Sequence, residues 1–460
     1  MGTETLSLSE MPIIKAITPV SQDNIARYVT VSDITGKDFA HLIQLPKMFI
    51  SHAVNKLRKG KHLTDDERKI ALKKAGQLFH SGTVGGFNPD DYVNQVVSVT
   101  GLPEEVVKKA LQKIGDATSH AFRDSALGFA KGVPDAYSDQ VKQRGCAQVV
   151  RKGEVLAVIA PGNGTGVHAL WPQAIALGYR VVLRPSEREP WTAHRLVQAL
   201  TESGLADYVV MLPTAHDGVE EIIEAADLSI VYGGEDTVTR YENRSDVLVQ
   251  GPGRSKMVIG NDYPQQDAFE LVFESVLGLG GAACVCTSSV FIEGDAEAFA
   301  RAFQDYVYDR LQDPHERERY LPQLSSQRYD WWIQQVEQYQ DFIFSRPEVF
   351  SLKSGTRQVM PLIMLADSTD QPIVQLELPV ASVTFVPFQH QACLSFLAPA
   401  LVVSVATKKV ALIQSISEIP EIRNLYIGQV PTIWMQAHVP HDGYIAEFLT
   451  RSRGYRVDFS

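Results

Sequence analysis

From residue 154 onward, short apolar runs alternate with amphipathic stretches, and this alternation predicts β-strands separated by helices. The apolar run 154–160 gives way to a loop at 161–166, a helical stretch at 167–177 and a second apolar run at 179–183. A helix over 191–203, a strand at 208–212, a helix over 218–226 and a strand at 228–232 continue the series. After a polar joint at 241–246 a second series begins, with strand 257–259, helix 267–279, a cysteine-bearing segment, strand 290–293 and helix 296–311. The stretch 314–370 is less regular, with Trp331 and Trp332 on a helix, and strands resume at 383–387, 401–406 and 424–427. Two such series predict two doubly wound α/β lobes with parallel sheets. Residues 1–150 read differently: apolar positions at helical spacing over 47–78 and 102–129, parted by a Gly/Asn/Pro turn at 85–89, predict a helical start.

Length agrees with more than one lobe, because a single core stops growing beyond roughly 250–300 residues and this chain has 460. A hydrophobic share of 45% and a charged share of 21% are those of an ordinary globular protein. The net charge of −11 argues against nucleic acid as a partner. The start of the chain has no secretory pattern, and the longest apolar runs, such as 396–406, fall short of the roughly 20 residues of a membrane span, so a soluble, cytoplasmic protein is expected. Cys146, Cys284, Cys286 and Cys393 are too few for a disulfide framework, and the Cys-x-Cys pair lacks the second pair of a zinc site, so no metal is expected. The cluster Lys56, Arg58, Lys59 and Lys61 suits either an acidic carrier protein, coenzyme phosphates or plain solvent.

Three segments carry the chemistry. Val155 to Asn163 reads as a strand running into Pro161-Gly162-Asn163, and the following glycines are spaced Gly-x-Gly-x-Gly, which is not the Rossmann fingerprint. Val181 to Glu187 is Val-Val-Leu-Arg-Pro-Ser-Glu, and Gly280 to Ile292 places Cys284 between a glycine pair and a strand. In this order they resemble the aldehyde dehydrogenase superfamily. The resemblance implies that Cys284 is the nucleophile, with Cys286 as its fallback, and that Asn163 and a backbone N–H hold the oxyanion. It also implies that Pro161, Arg184, Ser186 and Glu187 line the cofactor, the last three near the adenosine ribose. Gly233, Gly234 and Thr237 would lie by the pyrophosphate, and Glu377, in a shortened version of the family's glutamate turn, by the nicotinamide ribose. Asn163 alone would also suit a tight turn, Cys284 a core thiol, and Glu377 a strand-edge carboxylate.

One departure steers the chemistry. Where the family's aldehyde oxidisers have a water-activating glutamate, this sequence has Gln250, and an amide is no general base. Hydrolysis of an acyl-cysteine would then be slow and exchange between thioesters easy. Together with the ending Pro440-His441-Asp442-Gly443, this resembles the acyl-CoA reductase branch, which includes the reductase of the bacterial bioluminescence fatty acid reductase complex. The reaction so implied is reduction of an acyl thioester, on coenzyme A or a carrier protein, to an aldehyde. NADPH is the first cofactor, with NADH open because Glu187 opposes the 2′-phosphate that Arg184 would bind. The alternatives are NAD-dependent oxidation of an aldehyde and a catalytically silent partner subunit. His441 and Asp442 serve in this reading only as markers of the tail. The expected division is a helical part with a β-arm at 1–150, a dinucleotide-binding lobe at 151–252, a catalytic lobe at 253–430 and a tail at 431–460. Family likeness implies a homodimer or higher oligomer, through residues before 154 and a final strand at 455–459.

Overall fold

The structure, a computed structural model, describes residues 11–22, 25, 27–162 and 164–458. The apolar run at 154–160 forms Val155–Ile159 (β1), buried along its whole length. A strand covered on both faces needs apolar side chains at every position, which is why no alternation shows in its sequence. Arg180–Arg184 (β2), Val209–Met211 (β3), Leu228–Tyr232 (β4) and Val247–Gln250 (β5) complete a parallel sheet of order β3-β2-β1-β4-β5. The chain moves outward from β1 through β2 and β3, then returns to the other side of β1. That reversal opens a crevice between the carboxyl ends of β1 and β4.

The second series forms Ser255–Ile259 (β6), Thr287–Ile292 (β7), Leu362–Leu365 (β8), Ser382–Pro387 (β9), Ala400–Ala406 (β10) and Ile422–Ile427 (β11). They pair in parallel in the order β8-β9-β7-β6-β10-β11. Between β5 and β6 the chain crosses from the carboxyl edge of the first sheet to the amino edge of the second. The two edges therefore face one another across residues 251–254.

The helical start is present but subdivided. Residues 47–78 split into Lys47–Arg58 and Asp65–Ser81, the second opened by a capping box in which Thr64 and Glu67 bond reciprocally. Residues 102–129 split into Glu104–Ser119 and Ala121–Ala126. A three-stranded sheet of Ile13–Ile14, Asp38–Ile43 and Tyr28–Ser32, which the periodicity does not reveal, precedes them. The irregular stretch holds helices Pro314–Tyr320 and Ser326–Gln338, the latter burying Trp332. Near the end, Thr450–Tyr455 lies antiparallel to Cys146–Arg151 as a two-stranded ribbon. Among the described residues, no helix is long and apolar enough to cross a membrane, and no group of three or more His, Cys, Asp or Glu is placed to hold a metal.

Candidate active site

Cys284 sits in the turn before β7, half-buried, at the amino edge of the second sheet. The approach to it is tightly constrained: Leu279, Gly280 and Gly281 all have left-handed backbones, with φ of 56°, 77° and 69°. Leucine in that region is strained. The other non-glycine residue with positive φ among the described residues, Arg254 at 45°, lies on the opposite wall of the same turn. Gly253 presses so closely that a Cβ there would fall 1.8 Å from the Cys284 carbonyl oxygen. The Ser255 hydroxyl donates to that same oxygen at 2.9 Å. The amino end of β6 thus clamps the backbone of Cys284, while its half-buried side chain packs against the cluster of Val285, Leu401, Val402 and Tyr426. Cys286 is buried and donates its thiol proton to the Gly278 carbonyl at 3.1 Å, so it faces inward.

Charges around Cys284 are mostly negative. Glu377 accepts from the Arg254 backbone N–H at 2.5 Å. Burial pushes this carboxyl above its ordinary range, against the backbone N–H groups of Arg254 and Gly253. Lys256 is fully buried and donates to the carbonyls of Arg254 and Pro399 at 3.0 and 3.1 Å. Burial, aided by the Arg254 charge, brings its ammonium down to about 7, while Glu377 resists that change. Asp442, on the C-terminal loop, pairs with Arg423. Burial first, then Glu377 and Asp442, push the Cys284 thiol up to about 12. A thiol so raised is protonated at neutral pH. Alkylation of Cys284 by iodoacetamide in the free protein is therefore expected to rise about tenfold per pH unit from pH 7 to 10; a plateau below pH 9, read by peptide mass spectrometry, would contradict this.

The carboxyl edge of the first sheet faces that cysteine. Gln250 ends β5, and its carbonyl accepts from the Gly233 N–H at 3.1 Å. Gly233 is glycine for a local reason, since a Cβ there would lie 2.1 Å from the Thr237 hydroxyl, whereas a Cβ on Gly234 would meet nothing and its backbone borders open space. Tyr232, at the end of β4, has its hydroxyl pKa raised by burial first and then by Cys284 and Asp442. Arg254 forms an ion pair with Glu235. Pro161, after β1, is half-buried.

Residues 123–456 match the family model described as the aldehyde dehydrogenase family. The chain belongs to the aldehyde dehydrogenase family. A malonate-semialdehyde dehydrogenase of Geobacillus kaustophilus (strain HTA426) is 28% identical over 218 residues, 43% of this chain and 45% of that one. Another, of Shouchella clausii (strain KSM-K16), is 33% identical over 156 residues, 32% of each chain. The chain thus matches less than half the length of these curated relatives. Among solved structures, an indole-3-acetaldehyde dehydrogenase in complex with NAD+ has a TM-score of 0.79 at 16% identity, over 98% of both chains. An NADP-dependent enzyme of E. coli has a TM-score of 0.77 at 14% identity, over 98% of this chain and 99% of that one. The aldehyde dehydrogenase fold expected from three short segments therefore extends over nearly the whole chain.

Within this aldehyde dehydrogenase fold, two of the expected cofactor contacts also have partners within the chain. Arg184 is buried, donates twice to the Thr214 carbonyl at 3.2 and 3.1 Å and once to Glu187 at 3.2 Å. Its guanidinium thus has protein partners through Nε and Nη2. Ser186 is buried and accepts from the Arg188 N–H at 3.1 Å, and it backs onto Gly162, where a Cβ would lie 2.5 Å from its hydroxyl. It supports the loop after β1. Glu187 keeps 31% of its side chain exposed at the end of β2. Asn163 lies outside the described residues. Lys256 is not among the residues expected at the site, and Asp442 is expected only as a marker of the tail. A lysine opening the apolar run Met257 to Ile259 was a visible signal for the first. No local pattern signals the second, because its position depends on how the C-terminal loop folds back.

Proposed function

We propose that this protein oxidises an aldehyde with NAD+ through a covalent intermediate on Cys284. The observation that carries this reading is the half-buried Cys284 thiol at the point where the amino edge of one parallel sheet meets the carboxyl edge of the other. A dinucleotide would take the crevice between β1 and β4, where the Gly234 backbone borders open space. Bound there, nicotinamide supplies the hydride acceptor. Cys284 loses its proton and its sulfur adds to the aldehyde carbon, with Asn163 and a backbone N–H as the oxyanion donors that family resemblance implies. Loss of hydride from that carbon leaves an acyl thioester on Cys284. Glu377 is the nearby carboxyl, pushed up by burial, that takes the proton of the thiol and later of the attacking water. Water adds to the acyl carbon, the carbon–sulfur bond breaks and a carboxylic acid leaves.

Gln250 favours a second reading, in which a thiol such as coenzyme A takes the acyl group and the reaction also runs backwards as acyl thioester reduction. The curated relatives reported above bear the name of an aldehyde dehydrogenase and not of an acyl-CoA reductase, so we rank oxidation first. NAD(H) moves ahead of NADPH in this proposal, because Arg184 is already engaged and the partly exposed Glu187 carboxylate repels a 2′-phosphate. The ribbon of Cys146–Arg151 and Thr450–Tyr455 is the proposed contact with a second copy.

Assays with aldehyde and NAD+, with and without coenzyme A, test the proposal. Carboxylic acid formed without coenzyme A supports it; strict dependence on coenzyme A, or turnover only of acyl-CoA with reduced cofactor, moves the assignment to the second reading. Absence of turnover together with absence of cofactor binding leaves the silent subunit. Glu187→Gln is expected to raise kcat/KM for NADP+ relative to NAD+ by about tenfold, the worth of one relieved repulsion near 1.4 kcal/mol; an unchanged ratio would place the adenosine ribose elsewhere.

A further inference from the structure

Lys256 is the second residue of β6, which lies inside the second sheet between β7 and β10. Every position of that strand is buried, and lysine is among the residue types least often buried completely. An apolar side chain would fill the position without desolvating a charge, so packing alone does not account for a lysine there. Its ammonium returns to the amino edge of the sheet and donates to two backbone carbonyls, those of Arg254 at 3.0 Å and Pro399 at 3.1 Å. The first belongs to the turn that enters β6 and the second to the turn that enters β10. The Leu401 N–H adds a bond between the same two segments, donating to the Gly253 carbonyl at 2.7 Å.

These bonds hold a strained peptide. Arg254 has a left-handed backbone, with φ of 45°, which a residue with a Cβ keeps only where its surroundings enforce it. In that conformation its carbonyl meets Lys256 and its N–H meets a Glu377 carboxyl oxygen at 2.5 Å. Gly253, the residue before it, is the one pressed against the Cys284 carbonyl. Releasing the Arg254 carbonyl would let the turn relax toward an ordinary φ and carry the N–H away from Glu377. We propose that Lys256 is a positioning residue for the Glu377 carboxyl, tying the Arg254 and Pro399 carbonyls together so that the Arg254 N–H stays aimed at Glu377. This rests on Glu377 serving as the base of an aldehyde oxidation at Cys284. Lys256 acts here through backbone carbonyls and not on the reacting atoms. The charged and titratable groups that act on Glu377 or feel it are Arg254 and Lys256, from the amino end of β6, and Cys284 and Cys286, from the turn before β7. Both cations favour its ionised form, so loss of Lys256 removes a charge as well as a tether.

A cycle of variants of the purified full chain tests this, with hexanal as the probe aldehyde, NAD+ in excess, and kcat and KM read across pH. Lys256→Met is expected to lower kcat by about tenfold or more while the KM for hexanal changes less than about threefold, because a base is displaced and not a substrate contact. The rising limb of kcat against pH should move to higher pH, since a base works ionised and a carboxyl that has lost a nearby cation gives up its proton later. In a Glu377→Gln background, with no carboxyl left to position, Lys256→Met should cost less than about twofold. Lys256→Gln, too short to span both carbonyls, is expected to follow Lys256→Met, and it carries the same comparison if the methionine variant does not fold. Unchanged kcat in a folded variant would overturn the role of Lys256 alone. An equal loss in both backgrounds would overturn its action through Glu377 and leave the lysine a part of the core. Absence of hexanal oxidation in the unsubstituted chain would overturn the oxidation reading and this role with it.

Discussion

Cys284→Ala is expected to abolish NAD+-dependent aldehyde oxidation, lowering turnover by about four orders of magnitude or more, because no other group can carry the covalent intermediate. Cys286 cannot substitute, since it is buried and its thiol proton is committed to the Gly278 carbonyl. The variant should fold. Cys284 is half-buried in a turn, and the contacts of its backbone carbonyl with Ser255 and Gly253 are retained by alanine. Thermal unfolding should therefore shift by only a few degrees, corresponding to about 1 kcal/mol or less. Cys286→Ala is expected to show the opposite profile, retaining turnover within about tenfold while losing about 1–2 kcal/mol of stability from the buried thiol. If Cys284→Ala kept turnover and Cys286→Ala lost it, the nucleophile would have to be reassigned.

Gly253→Ala is expected to be nearly as damaging to activity, from a residue that performs no chemistry. A Cβ at this position would fall 1.8 Å from the Cys284 carbonyl oxygen and 2.6 Å from its carbonyl carbon. Both are backbone atoms and cannot swing aside as a side-chain tip would. The chain must yield either at β6, where Gly253 also accepts from the Leu401 N–H at 2.7 Å, or at the cysteine turn. Displacing a nucleophile by about 1 Å costs about 100-fold in rate, and overpacking costs about 1–3 kcal/mol of stability. Measured kcat and denaturant midpoint should both fall. Wild-type kcat in Gly253→Ala would mean that the close approach of these two segments is not needed to position the sulfur.

The alternation of apolar runs and helices made the two parallel sheets legible from sequence, because strands such as β1 and β2 are buried on both faces and leave a continuous apolar signature. The N-terminal sheet was hidden. Its strands are short and partly exposed, as in Tyr28–Ser32, so neither an apolar run nor a clean alternation marks them. At the site, the position of Cys284 between a glycine pair and a strand was readable because backbone geometry demands those residues locally. The direction of Arg184 was not. Its segment matches a ribose-binding pattern, but its partner is the Thr214 carbonyl, thirty residues onward in the chain, and no local spacing encodes that contact. The surroundings of Asp442 are hidden for the same reason, since they depend on a fold-back held by Asn424 and Tyr426. The expectation from Gln250, that hydrolysis lacks a base, rests on that one position. The chain also brings Glu377, 127 residues away in sequence, to the backbone of Gly253 and Arg254.

The most direct measurement is peptide mass spectrometry of the protein quenched with acid during turnover of hexanal and NAD+. A hexanoyl group on the peptide containing Cys284, absent in Cys284→Ala and absent without NAD+, is the expected result. An acyl group found on Cys286, Cys146 or Cys393 instead, or turnover with Cys284 unlabelled at every quench time while a control acyl-cysteine survives the same workup, would contradict a covalent intermediate on Cys284.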